Sequence, residues 1–167
     1  MKHIYSIREA KKSDNLHVQR FIELVDHDFY PPLSQRGGGI PERVRRCLDT
    51  PEANYLIARL NEKDLSDLPG GIIGMIGCTK NWKDESSAYV NFLAVHQEYR
   101  INGVGKALNR ELELLLGKQG FNRIYLCTWS SNPAAMNFYE KLGYSAYSVV
   151  LNHRGKGVDT IYYKKKI

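Results

Sequence analysis

The hexapeptide Arg100-Ile101-Asn102-Gly103-Val104-Gly105 separates two segments of different periodicity. Before it, Ala88 to Val95 reads as a strand. After it, Val104 to Leu116 reads as a helix, with Val104, Ala107, Leu108, Leu112 and Leu115 at helical spacing. A glycine turn between a strand end and a helix start is a site for an anion. The first N–H groups of a helix have no internal acceptor, the helix dipole adds partial positive charge, and glycines let a phosphate approach the backbone. Arg100 and Lys106 add full charges. A Walker loop does not fit, because Arg100 stands where its first glycine belongs and Ala107 where its Ser or Thr belongs. A dinucleotide fingerprint begun at Gly103 has Leu108 for its third glycine, and it follows several strands rather than the first.

Outward from this turn the chain alternates strands and helices. Ile4 to Arg8 reads as a strand. Ser13 or Asp14 can cap a helix to about Val25, with Leu16, Phe21, Ile22 and Val25 as its buried stripe. Pro31-Pro32 and Gly37 to Gly39 make residues 26–40 irregular, and Pro41 opens a helix to about Leu48. Tyr55 to Leu60 and Ile72 to Thr79 read as strands, with polar turns at residues 61–71 and 81–87. After the central helix, Gly117 and Gly120 mark its end and Arg123 to Thr128 forms a strand. Asn132-Pro133 opens a further helix, which Gly143 closes. Tyr147 to Leu151 and Thr160 to Tyr163 complete the order β-α-α-β-β-β-α-β-α-β-β. The unit 88–95, 104–116, 123–128 is a right-handed β-α-β crossover. The expected fold class is α/β (mixed α+β), a mixed sheet with helices on both faces, and residues 1–167 are expected to form a single domain.

A second motif lies about thirty residues on: Asn132-Pro-Ala-Ala-Met-Asn-Phe138-Tyr139-Glu-Lys-Leu-Gly143-Tyr144. Asn132 and Tyr139 are two helical turns apart and share a face, while Phe138 and Leu142 form a neighbouring apolar stripe that holds the helix on the sheet. Arg100 to Gly105 matches the [QR]-x-x-G-x-[GA] motif of the GCN5-related N-acetyltransferase (GNAT) family, and the second segment resembles that family's N-x-x-A-x-x-F-Y-x-K-x-G-[FY] signature. The resemblance implies a central, mostly antiparallel six- to seven-stranded sheet and acetyl-CoA as acetyl donor. By motif match it implies that Arg100, Ile101, Asn102, Gly103, Val104, Gly105 and Lys106 hold the cofactor's phosphates. It implies that Asn132 binds the cofactor and that the strand backbone at Leu93 and Val95 pairs with the pantetheine arm. Tyr139 is then the general acid: a phenol of pKa near 10 holds a proton for a departing thiolate, whose thiol has a pKa of about 8.5.

The acceptor is less legible. Its amine must be neutral, yet the inward candidates for a base, Tyr89, Asn91 and Cys127, include no carboxylate. Ribosomal-protein N-terminal acetyltransferases of the family have a glutamate where Cys127 stands, five residues before the capping Asn, which counts against that subgroup. Asp26, His27, Asp28, His96 and Glu98 read as surface residues, so the base is unassigned. The resemblance places the acceptor loop at residues 26–46, where Asp26, Asp28, Phe29 and Tyr30 would suit a cationic or aromatic amine, or form a packed loop without specificity.

Composition bounds the partners. The net charge of +6 fits a nucleic acid or a small polyanion such as a nucleotide cofactor, and part of it sits in Lys164-Lys165-Lys166, which reads as a solvated tail. No interleaved aromatic and basic motif of RNA-binding sheets is present, so no nucleic-acid partner is expected. The three cysteines and five histidines have no metal-ligand spacing, so no metal is expected. Cys78 and Cys127 lie in apolar runs and read as buried thiols of a reducing cytoplasm. No apolar h-region or membrane-length segment occurs, so cytoplasmic location without a membrane partner is expected. The expected activity is transfer of an acetyl group to the primary amine of a small molecule or peptide, with a homodimer allowed. The alternative is a non-catalytic module that binds CoA or nucleic acid.

Overall fold

The computed structural model describes residues 5–61 and 68–167. The strands are β1 (Tyr5–Glu9), β2 (Ala53–Leu60), β3 (Ile72–Lys80), β4 (Ser87–Val95), β5 (Arg123–Trp129), β6 (Ser145–Val150) and β7 (Thr160–Lys166). The helices are α1 (Asn15–Val25), α2 (Gly39–Asp49), α3 (Val104–Lys118) and α4 (Pro133–Lys141). The strands form a seven-stranded sheet in the order β1-β2-β3-β4-β5-β7-β6. Every neighbouring pair is antiparallel except β4 with β5, the pair joined by the α3 crossover. The expected mixed, mostly antiparallel sheet is therefore present.

Two apolar cores cover the two faces of the sheet. On one, α1 and α2 bury Val18, Phe21, Ile22, Val44 and Cys47 against Ile57, Met75 and Phe92. On the other, α3 buries Val104, Leu108, Leu112 and Leu116 against Ile73, Ile76, Ile124 and Leu126, and Tyr139 and Tyr144 extend this core around α4. Two stripe assignments shift. Leu16 is 55% exposed and Val18 takes its place in α1. In α3 the fully buried fourth-turn residue is Leu116 rather than Leu115. One residue of error is a 100° rotation on a helix, and three consecutive leucines, Leu114 to Leu116, leave the sequence unable to choose.

Boundaries also move. Part of the expected first strand, Ile4, and part of the expected 61–71 turn lie outside the described residues. Helix α2 begins two residues before Pro41, on Gly38 and Gly39, both with positive φ. The terminal lysines are not a free tail. Lys164 to Lys166 continue β7, which lies between β5 and β6, and Lys165 Nζ pairs with Glu113 of α3 at 2.7 Å.

The feature that shapes the site is a bulge. Gly77 of β3 pairs with Phe92, and Cys78 pairs with Val90, so Asn91 is an extra residue in β4. The bulge turns Val90 to the α3 face and Phe92 to the α1–α2 face, although the two are only two residues apart. Gly77 makes room beside it, since a Cβ there would stand 2.0 Å from the ring of buried Tyr55, whose hydroxyl donates to Asn91 Oδ1. Gly77→Ala is expected to destabilise the protein by about 1–3 kcal/mol through overpacking. Urea unfolding measures this, and an unchanged midpoint would show that Tyr55 yields freely.

Candidate active site

Strands β4 and β5 pair only through Ser87–Tyr89 and Arg123–Tyr125. Beyond Tyr89 they diverge, and the edge of β4 that faces β5 has no strand partner. A cavity of about 860 Å3 fills the opening. It is lined by Leu93 and Val95 of β4, by Arg100, Ile101, Gly103, Val104, Gly105 and Lys106 of the turn and helix start, and by Asn132 and Tyr139. All sequence-predicted site residues except Asn102, an exposed residue of the turn, thus meet at one opening.

The turn is built to leave N–H groups free. Gly103, at φ 80°, is the N-cap of α3 and no side chain caps that end. The first intrahelical bond at this end runs from the Ala107 N–H to the Gly103 carbonyl, so the N–H groups before it have no intrahelical acceptor. Ile101 is fully exposed at φ 62°, a left-handed conformation that costs a β-branched residue about 1–3 kcal/mol. Arg100 does not reach outward. Its Nε donates to the Val95 carbonyl at 3.0 Å and its Nη2 pairs with Asp28. The Val95 carbonyl is thereby engaged. Gly105 must be small, because a Cβ there would lie 3.3 Å from Phe138 and 3.6 Å from Val95. The first motif therefore packs directly on the second.

Helix α4, in contrast, is capped: Asn132 Oδ1 accepts from the Ala135 N–H at 3.1 Å. Two turns on, Tyr139 is 8% exposed, with its ring packed edge-on against Phe138 and Tyr144. Burial, and then the nearby Cys127, raise its pKa well above the ordinary phenol value, so it carries its proton at neutral pH.

The other end of the cavity holds Tyr89, Asn91, Cys127, Trp129 and three arginines, Arg36, Arg43 and Arg154. Cys127 is half-buried rather than buried in the core, and its Sγ accepts from Tyr89 Oη at 3.0 Å and Arg154 Nη2 at 3.4 Å. Burial and Cys127 push the Tyr89 phenol up as well. The acids of the 26–46 loop do not point at a ligand. Asp26 accepts from the Ser34 N–H at 2.9 Å and from its hydroxyl, and Asp28 pairs with Arg100. Between the two readings open for this loop, the structure shows its acids held within it or against Arg100, and three arginines lining the acceptor end. Sequence reasoning missed these arginines because they come from three separate segments with no spacing in common. His96 accepts from the Glu98 N–H at 3.4 Å and neither residue lines the cavity.

These two linked motifs at a divergent parallel strand pair coincide with a family match: the model of the Acetyltransferase (GNAT) family fits residues 15–144. The chain belongs to that family. An acetyltransferase of Pectobacterium atrosepticum is 30% identical over 107 residues, which cover 64% of this chain and 68% of that one. A Bacillus anthracis structure described as a streptothricin acetyltransferase, solved with acetyl coenzyme A, is 28% identical with a TM-score of 0.61, covering 72% of this chain and 65% of that one. A ribosomal-protein alanine N-acetyltransferase of Escherichia coli shares the fold at a TM-score of 0.78 and 20% identity, covering 98% and 94%. Among the described residues of this acetyltransferase no helix is long and apolar enough to cross a membrane.

Burial raises the phenols of Tyr55, Tyr139 and Tyr144 in the folded protein. Below about pH 10 both folded and unfolded chains keep these protons. Above it the unfolded chain loses them first, so stability falls as pH rises, by about 1.4 kcal/mol per pH unit for each such group. Urea unfolding from pH 9 to 11.5 should show this decline, and Tyr139→Phe should reduce its slope by about one such increment. An unchanged slope would mean that Tyr139 ionises as readily folded as unfolded.

Proposed function

We propose that this acetyltransferase moves the acetyl group of acetyl-CoA to a primary amine by direct attack of the amine on the thioester. The observation that carries the reading is the juxtaposition, in one cavity, of an unpaired β4 edge, an uncapped α3 N-terminus and the Tyr139 phenol. Acetyl-CoA, which the Bacillus anthracis relative binds, supplies a diphosphate for the helix end and a thioester for the amine.

The residues of the chain divide the work. The N–H groups at the start of α3 and the side chain of Lys106 hold phosphate oxygens. The β4 backbone near Leu93 presents hydrogen-bonding groups to the amides of the pantetheine arm. The Asn132 amide oxygen already caps α4, which leaves its NH2 group to meet the ligand. Tyr139 donates a hydrogen bond to the sulfur as negative charge develops there. Full proton transfer from this phenol is uphill: an ordinary phenol exceeds an ordinary thiol by enough to cost about 2 kcal/mol, and burial of Tyr139 adds to that. The donor role is therefore primarily electrostatic: the C–S bond breaks to release the thiolate, which takes up the second proton shed by the acylated nitrogen.

Among the described residues no carboxylate or imidazole free of partners lines the acceptor end. Arg36, Arg43 and Arg154 supply another route to a neutral nucleophile, since surrounding positive charge disfavours the ammonium form. The amine then releases its proton to water before attack. The three free cysteines suit a reducing compartment such as the cytoplasm.

Tyr139→Phe keeps the ring contacts and removes the donor. With an amine that supports turnover, kcat should fall about a hundred-fold or more while the Kd of acetyl-CoA, read by calorimetry, stays unchanged. Equal loss in kcat and affinity, or no loss, would remove Tyr139 from the chemistry.

A further inference from the structure

We propose that the acceptor is a small amine bearing its own anionic group, a carboxylate or phosphate, which docks on Arg36, Arg43 and Arg154. The proposal rests on the acetyl-transfer reading above and names the substrate class of that same site.

The three arginines arrive from different parts of the fold: Arg36 from the connection between α1 and α2, Arg43 from α2, and Arg154 from the hairpin between β6 and β7. They converge on one end of the cavity, and all are half-buried. Their hydrogen bonds go to neutral acceptors. Arg36 Nε and Nη2 donate to the Pro31 carbonyl at 3.0 and 2.9 Å. Arg43 Nη1 donates to Asn91 Oδ1 at 3.4 Å. Arg154 donates to the Thr160 hydroxyl at 3.2 Å, to the Tyr30 carbonyl and to Cys127 Sγ. Among the described residues none of the three forms a salt bridge, whereas Arg8, Arg45, Arg46, Arg100 and Arg123 all do. The nearby acids are already held, Asp26 by Ser34 and Asp28 by Arg100.

Three half-buried like charges without a salt-bridge partner repel one another, and Asp26 offsets this only in part. Arg36 registers this: burial, then the charges of Arg154 and Arg43, push its pKa below the usual guanidinium value. Guanidinium cannot shed its proton at physiological pH, so the arrangement is relieved by an anion rather than by titration. Carboxylate and phosphate oxygens match the planar fork of arginine, and three forks at one place bind such a group far better than they bind an apolar or cationic one. Arg154 also lies over the Trp129 ring, 5.1 Å from its centroid, which fixes its plane.

The arginines belong to the acceptor rather than to the phosphates of the donor. Arg43 stands on α2, across the sheet from α3, whose N-terminus forms the anion site of the donor. Cys127, which Arg154 touches, lies close enough to Tyr139 to raise its pKa, so an anion on Arg154 brings its amine near the reacting centre. The segments that carry Arg36 and Arg154 also touch each other. Arg154 binds the Tyr30 carbonyl, and Gly155 lies so near the Tyr30 hydroxyl that a Cβ would stand 3.3 Å from it. The β6–β7 hairpin and the α1–α2 connection are thus joined beside the arginines. One anion leaves the three guanidiniums with surplus positive charge, so the amine still meets an environment that favours its neutral form.

The test compares matched amines in a thiol-release assay with acetyl-CoA: L-phenylalanine against L-phenylalaninamide, and O-phosphoethanolamine against ethanolamine. The anionic member of at least one pair should have a kcat/KM about ten- to a hundred-fold higher, and the pair that responds distinguishes carboxylate from phosphate. For the carboxylate pair this preference runs against intrinsic supply of the nucleophile, because the amide has the less basic amine. Arg154→Met and Arg36→Gln should each remove the preference while the Kd of acetyl-CoA stays unchanged. Turnover of all four amines without preference would overturn the anionic acceptor and leave acetyl transfer standing. Parallel loss of acetyl-CoA affinity in both variants would also overturn it, by assigning the arginines to the donor. Absence of turnover with a broad amine panel would instead count against the transferase reading. Calorimetry of the four amines on CoA-saturated protein then decides the anion site separately: binding of an anionic member that Arg154→Met weakens supports it, and no binding overturns it.

Discussion

The divergence of β4 from β5 is the constraint on which the site depends. A parallel pair joined by a crossover helix ordinarily continues its ladder along both strands, and here it ends after Tyr89. The extra residue at Asn91 explains the break. It bends β4 and reverses which side chains face which core, so that β4 stays bonded to β3 while it leaves β5. Asn91 is held in place from three directions: Tyr55 and Arg43 donate to its Oδ1, and its Nδ2 donates to Thr79 Oγ1 at 2.7 Å. A buried tyrosine, an arginine of the acceptor end and a threonine of β3 thereby fix the one irregular residue that opens the sheet. The absence of a side chain at Gly77 is part of the same device, since the Tyr55 ring occupies the space.

The opening places the two sequence motifs in contact, and this explains why both are needed. The helix start at Gly105 lies against Phe138 of α4 and Val95 of β4. A side chain at position 105 would press on the Phe138 ring. The small-residue requirement is therefore one of packing as well as of phosphate approach. The two helices also differ in how their N-termini are satisfied. Asn132 closes α4 internally, while α3 begins on an uncapped glycine.

Much of this was legible in the sequence because it is local. Caps, glycine turns and helical stripes act over a few residues, so element order and the two motifs of residues 88–144, which meet at one opening, were visible locally. What escaped involves partners far apart in the chain. The run Val90, Phe92, Ala94 looks like an ordinary alternating strand, and only its pairing with β3 exposes the bulge. The lysines at 164–166 look solvated until β7 is seen to lie between two strands, with Lys165 bonded to Glu113. The acid-rich look of Asp26 to Asp28 misleads for the same reason, because Ser34 and Arg100 already hold those carboxylates.

The basic acceptor end bears on how the amine becomes neutral. Surrounding positive charge disfavours the ammonium form, and the surplus left after one anion binds keeps that bias. Cys127, a thiol held by Tyr89 and Arg154, leaves the positive field intact. With a glutamate at 127, Arg154 would gain a salt-bridge partner and the cluster would lose much of its pull on an external anion. The cysteine is thus consistent with the arginines rather than a gap in the machinery: both keep the acceptor end short of negative charge, so that the substrate must bring its own.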